Sequence, residues 1–285
     1  MIDHAARRQG IGASELAAIL GLDPYRTPLD VWMEKTGRTV QFMGNEATFR
    51  GNALEDAVGA YMQRELGSDW MQIQGGQFVH PEHPIIRCNP DRLYVNLAGE
   101  KIGGELKTTI ENVQIEDLQD PENPKKIPWL FQCQWCMIVT GCTRWELGWM
   151  GAFFNYKQVT ITYNEALAAQ LIAFVLDWWE RHIIQDIQPD PINAADAATL
   201  WPVDNGEWFE ASPMLAETIT EYANAKAQER QWKAKADDLA DRIKLAFGPC
   251  MVATIGGERA ASYKPNKAGN RALRIHPPIP TSRRG

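Results

Sequence analysis

Strand-like stretches at 70–79, 85–95 and 101–109 follow one another with only short turns bearing Pro, Gly and Asn between them. Residues of this kind punctuate strands. A chain with so little room between strands folds back on itself, and the second and third stretches form a hairpin. The third carries Glu105-Leu106-Lys107. Side chains two apart on a strand share a face, so this carboxylate and this ammonium point the same way. Asp91 lies 14 positions before Glu105, in a Pro90-Asp91 turn, and the hairpin brings it beside Glu105. Two converging carboxylates repel each other unless a cation lies between them. A hard divalent ion such as Mg²⁺, which prefers oxygen ligands and keeps several waters, relieves that repulsion. Such an ion can activate water and stabilise charge on a phosphate. Lys107 would orient or deprotonate the attacking water or stabilise the transition state. Glu55, midway along a helical stretch at 46–66, is positioned to supply a third carboxylate.

The flanking sequence reads as an α/β unit. A short helix at 14–20 follows the Gly10-Ile11-Gly12 turn, with Ser14 a candidate cap, and a second helix opens at Pro28 and closes at Gly37. Residues 111–128 are polar and proline-bearing and read as a loop. A helix at 128–140 ends at Gly141, strands at 144–150 and 157–162 follow, and then a helix at 165–187. The division expected is a core at 1–190, a proline-bearing connector at 191–210 and an appendage at 211–285. That appendage combines a long helix at 213–247 with short strands near 251–255, 259–263 and 271–275. Trp135, Trp145, Trp178 and Trp179 sit in apolar stretches and read as core.

Charge divides the chain unevenly. Net charge is −7, yet residues 226–285 hold 13 Lys and Arg against 5 Asp and Glu. The acidity therefore lies with the part that carries the carboxylates, and the basic end could hold phosphates. The first residues lack a signal peptide's apolar stretch, and no apolar run is long enough to span a bilayer, so a cytoplasmic protein with no membrane partner is expected.

Five segments, in order, resemble one family: RRQGIGASELAAIL at 7–20, RGNALEDAV at 50–58, CNPDRL at 88–93, GGELKTT at 103–109 and QCQWCMIVTG at 132–141. They look like the lambda exonuclease and YqaJ-type viral recombinase nucleases, a branch of the PD-(D/E)xK superfamily. The resemblance implies a restriction-endonuclease-like core, a central mixed sheet flanked by helices. It implies that Asp91, Glu105 and the Leu106 carbonyl ligate Mg²⁺ (Mn²⁺ substituting), with Glu55 nearby, and that Lys107 is the catalytic lysine. Gln134 would help orient the site. Arg7, Ser14 and Gln132 would grip a terminal 5′-phosphate, with Asn89 standing where the family has serine. Gln132 and Gln134 diverge by about 200° on a helix, which suits two different roles. Some related nucleases carry an iron–sulfur cluster on a run like Cys133, Cys136 and Cys142. Here the run lies in an apolar segment, which favours buried thiols, and Cys88 or Cys250 would have to supply a fourth ligand.

The expected activity is a 5′→3′ exonuclease acting on double-stranded DNA ends in phage-type recombination. The resemblance implies a single-strand annealing protein as partner and a homo-oligomer, a ring trimer by analogy. The alternatives are a structure- or sequence-specific endonuclease on the same fold and a non-catalytic DNA-binding scaffold.

Overall fold

The computed structural model describes residues 8–39, 45–119 and 126–276. The chain divides into two compact units, Met1–Val203 and Asp204–Gly285.

In the first unit, helix α1 (Ala13–Ile19) and helix α2 (Pro28–Lys35) precede the long helix α3 (Glu46–Leu66). Thr27 caps α2 by accepting from the Asp30 amide, and Asn45 caps α3 through the Thr48 amide, satisfying N–H groups that the first turn leaves open. Strands β1 (Trp70–Ile73), β2 (Phe78–Val79), β3 (Arg87–Cys88), β4 (Arg92–Asn96) and β5 (Lys101–Thr108) follow. Helix α4 (Ile127–Thr140) leads to β6 (Arg144–Met150) and β7 (Tyr156–Thr162), and helix α5 (Glu165–Trp178) comes next.

The main sheet runs β1-β4-β5-β6-β7, with β5 and β6 parallel and the other pairs antiparallel. A parallel pair needs a crossover, and α4 provides it. The inner stretches of β5 and β6 are buried residue after residue, as strands covered on both faces are. One side of the sheet packs Trp135, Trp145 and Trp149 with α1 and α4; the other packs Leu106 and Tyr94 against Val58 and Met62 of α3. Gly103 and Gly104 make this closeness possible. A Cβ on Gly103 would lie 2.2 Å from the Trp145 ring, and one on Gly104 would lie 2.6 Å from the Met62 sulfur.

Several elements differ from expectation. The 70–79 stretch is two strands in different sheets, since β1 pairs with β4 while β2 pairs with β3 in a separate ladder. Gly75 and Gly76 lie between them. Pro90-Asp91 likewise splits 85–95 into β3 and β4. Gly12, rather than Ser14, is the N-cap of α1. The helix expected to reach 187 is α-helical only to Trp178 and widens into a π-helical turn at Trp179–Ile184. Within the proline-bearing span after residue 190, a helix α6 (Ala194–Leu200) buries Asp196, whose carboxylate accepts from the Thr27 hydroxyl at 2.9 Å.

The second unit is helix α7 (Pro213–Phe247) with strands β8 (Val252–Ile255), β9 (Glu258–Pro265) and β10 (Arg271–Ile275) in the order β10-β9-β8, all antiparallel. Phe247 is the buried residue of α7 and meets Tyr263 edge-on at 5.9 Å. The Arg271 guanidinium stacks on Tyr263 and donates to the Gly248 and Cys250 carbonyls just past the helix end. Among the described residues no helix is long and apolar enough to cross a membrane.

Candidate active site

The β4–β5 hairpin pairs Arg92 with Gly104. Asp91 therefore stands at the start of β4 beside Glu105, and its Oδ2 accepts from the Leu106 amide at 2.8 Å. The side chain of Asp91 thus continues the ladder where the backbone of β4 leaves it. Glu105 is 1% exposed. Its Oε1 lies 2.6 Å from Lys107 Nζ, yet neither carboxylate oxygen has an aligned hydrogen-bond donor. Lys107 Nζ instead donates to Gln132 Oε1 at 2.8 Å. The strand's two-residue repeat thus puts acid and amine on one face, and α4 delivers the amide that receives the amine's hydrogen bond.

Burying charge without full pairing is costly, and the titration of these groups reflects it. Burial, and then the Asp91 charge, push Glu105 up to about 7 against the pull of Lys107. Asp91 is raised too, chiefly by burial, although Lys107 and the Leu106 amide oppose this. Burial draws the Lys107 ammonium down, but Glu105 and Asp91 outweigh it and leave Lys107 above its ordinary value. Lys107 is therefore a firmly protonated cation facing two acids that resist ionising together.

Glu55 does not complete a three-carboxylate cluster. Arg92 holds it, with Nη1 donating to Glu55 Oε1 at 2.7 Å and Nη2 to Asp56 Oδ1 at 2.6 Å. Nη1 also donates to the Asp91 carbonyl at 2.7 Å. Among the described residues no three His, Cys, Asp or Glu side chains gather to hold a metal ion. The pair of Asp91 and Glu105 still suits a hard cation: Glu105 is buried with Lys107 as its one close cation among the described residues, and the Asp91 charge raises its pKa. Magnesium sites commonly use one or two carboxylates and leave the rest of the shell to water. Leu106 offers its amide to Asp91, and its side chain is buried against α3.

Gln132 and Gln134 part as the helix geometry requires. Gln132 faces Lys107. Gln134 lies elsewhere: its Nε2 donates to the Thr162 carbonyl at 2.7 Å and its Oε1 accepts from the Asn164 amide at 3.1 Å. It fastens the end of β7 to the start of α5 and does not orient the site. Ser14 is exposed in the first turn of α1, where the Glu15 carboxylate fixes the chain by accepting from the Gly12 amide and from Lys35 Nζ. Ser14, Tyr25, Lys107, Trp129 and Gln132 line a pocket of about 210 Å³. Asn89 is exposed, and Arg7 lies outside the described residues.

Arg92 and the aromatic pair Tyr25 and Trp129 are the residues that sequence reasoning missed. Arg92 directly follows Asp91, which was the available signal. Cys133 lies close enough behind the site to feel Glu105 and Lys107; burial first, and then Glu105, raise its thiol well above the ordinary range. Cys136 is raised as strongly, first by a hydrogen bond with Cys88 and then by burial. These are neutral buried thiols.

A mixed sheet with an acid at the head of one strand and Glu-x-Lys on the next is the core of the PD-(D/E)xK fold. Among solved structures, LHK-Exo in complex with dAMP, an alkaline exonuclease from Laribacter hongkongensis, shares this fold at a TM-score of 0.50 and 20% identity, over 64% of this chain and 92% of that one. Residues 4–143, just under half of the chain, match the YqaJ-like viral recombinase domain. The protein YqaJ of Bacillus subtilis (strain 168) is 26% identical over 270 residues, covering 91% of this chain and 81% of its own. Protein D345L of African swine fever virus (strain Badajoz 1971 Vero-adapted) is 29% identical over 118 residues, 40% of this chain and 33% of its own.

Proposed function

We propose that the protein is a magnesium-dependent deoxyribonuclease that degrades double-stranded DNA from its ends in the 5′→3′ direction. The observation that carries the reading is the trio Asp91, Glu105 and Lys107, in which the second oxygen of the buried Glu105 carboxylate has no hydrogen-bond donor. Asp91 and Glu105 would hold Mg²⁺, or Mn²⁺ in its place, with the Leu106 carbonyl completing the protein's share. When bound, the ion supplies positive charge to polarise a phosphodiester and to activate water. The remaining work falls to the chain. Lys107 holds its proton on Nζ, fixed between Glu105 and Gln132, and presents positive charge where a phosphate oxygen gains negative charge. Gln132 fixes the direction of that ammonium. Ser14 supplies a hydroxyl in the adjoining pocket, which suits a terminal phosphate, and Arg7 would add its guanidinium. Glu55, restrained by Arg92, acts on the site through its charge and not as a ligand.

Kinship supports a role in phage-type recombination, with a single-strand annealing protein as partner and a ring trimer as the working form. A time course on end-labelled duplexes carrying 5′-phosphate or 5′-hydroxyl ends tests the reading. In Mg²⁺, shortening should proceed from the phosphorylated end, and EDTA should stop it. Nicking of closed circles at a rate matching linear duplex would replace the exonuclease with an endonuclease.

A further inference from the structure

We infer that the outer face of the C-terminal sheet is a docking surface for the phosphate backbone of duplex DNA; the choice of DNA as partner rests on the nuclease reading above. The strand register selects the face. Tyr263 of β9 points to the helix side, where it meets Phe247, and Leu273 stands opposite it on β10. One position along, the side chains emerge on the other side of the pleat. There Ser262 and Lys264 alternate along β9, and Arg274 pairs across from Ser262. His276, two residues beyond Arg274, covers Ser262, with its Nε2 2.9 Å from the serine Oγ. Arg259 joins the group from the start of β9.

Arg259 and Arg274 are exposed and Lys264 half-exposed. Among the described residues none of the three takes part in an ion pair. Their crowding is felt by His276, which lies below its ordinary pKa through burial first and then through Arg259, Lys264 and Arg274. Glu258 is the nearby acid, at the β8–β9 turn opposite Ile255. Cations held side by side without counter-charges repel each other, and a polyanion removes that repulsion by displacing their counterions. A sheet face that spaces its cations along two paired strands fits the regularly spaced charges of a phosphate backbone. Cations that meet phosphates position DNA and select no sequence.

The test uses the full chain in EDTA, so that binding is read without cleavage. Fluorescence anisotropy of a short blunt duplex over a series of salt concentrations gives the slope of log affinity against log salt. Lys264→Gln combined with Arg274→Gln should weaken binding at every sequence tried and make the slope shallower by about 2, about one unit per lost phosphate contact. Arg230→Gln combined with Lys233→Gln removes the same charge from the exposed side of α7 and should leave the slope within error of the wild type. An unchanged slope in the sheet variant, or an equal loss in the helix variant, overturns the inference. Cleavage by the wild type in Mg²⁺ is scored separately: DNA binding that depends on the face without any cleavage removes the enzyme reading and leaves this one standing.

Discussion

The two units of the chain use their residues in opposite ways. The first buries three tryptophans completely and encloses charged groups beside them, with Glu105 buried and Asp91 and Lys107 half-buried around it. The second spreads a 35-residue helix that buries Phe247 and leaves Met214, Ile219, Tyr222 and Trp232 exposed. Its charges stand in water, where surface pairs such as Lys244 with Asp241 are worth little. Confinement makes electrostatics strong and particular, as a reaction centre needs. Exposure makes it weak, additive and sensitive to salt, as a surface for a long polyanion needs.

Removing one confined charge should have the largest effect. Lys107→Ala should cut the rate on linear duplex about 10³-fold, in the range of electrostatic and proton-transfer contributions. Circular dichroism should show the same fold. A variant within tenfold of wild type would break the contrast, because the amine would then be an ordinary buried ion-pair partner.

The next effect is on stability without metal. Glu105 has a folded pKa of about 7, above its ordinary value. Its contribution is therefore complete below about pH 4.5 and disappears as pH rises to 7. Asp91, also raised, acts in the same direction, while the raised Lys107 stays protonated throughout that window. Denaturation in EDTA should show stability falling by about 3 kcal/mol over this range on account of Glu105. Glu105→Gln should flatten the fall, and Mg²⁺ above neutrality should restore the wild type but not the variant. Equal pH profiles for both proteins would mean that the carboxylate is better solvated than its burial implies.

The smallest effect sharpens the comparison from the other side. Ala236→Gly, on the exposed surface of α7, should cost about 1 kcal/mol by helix propensity alone. That loss should appear in the unfolding of the second unit, while the cleavage rate of short duplexes stays unchanged. A matching fall in cleavage would show that the units unfold as one.

The geometry of the candidate site follows in large part from the residues themselves, because it depends on local rules. A proline before Asp91 breaks the strand, the two-residue repeat aligns Glu105 with Lys107, and the helical angle separates Gln132 from Gln134. The same angle does not say which glutamine faces β5. That is decided by how α4 rotates against the sheet, and Trp135 sets this rotation by donating its indole N–H to the Ile11 and Arg87 carbonyls. Glu55 was assigned to the metal because it is an acid at the right height on α3. Its capture by Arg92 depends on a contact between residues 37 apart in the chain, which no local pattern encodes. The ladder of β2 with β3 escaped for a similar reason: stretches of two residues carry too little alternation to reveal a partner.

Gly103 and Gly104 govern how this protein can change. Both contacts fall on the stretch of β5 that leads into Glu105, and they leave no volume for even one methyl group. Overfilling of this kind displaces neighbours at a cost of a few kcal/mol, about 1–3 in well-filled interiors. A missense change at either codon would thus reduce the amount of folded protein before it altered turnover. Libraries screened for new cleavage behaviour should return almost no viable clones at those two positions, and adaptive variation should gather in the walls of the Tyr25 pocket.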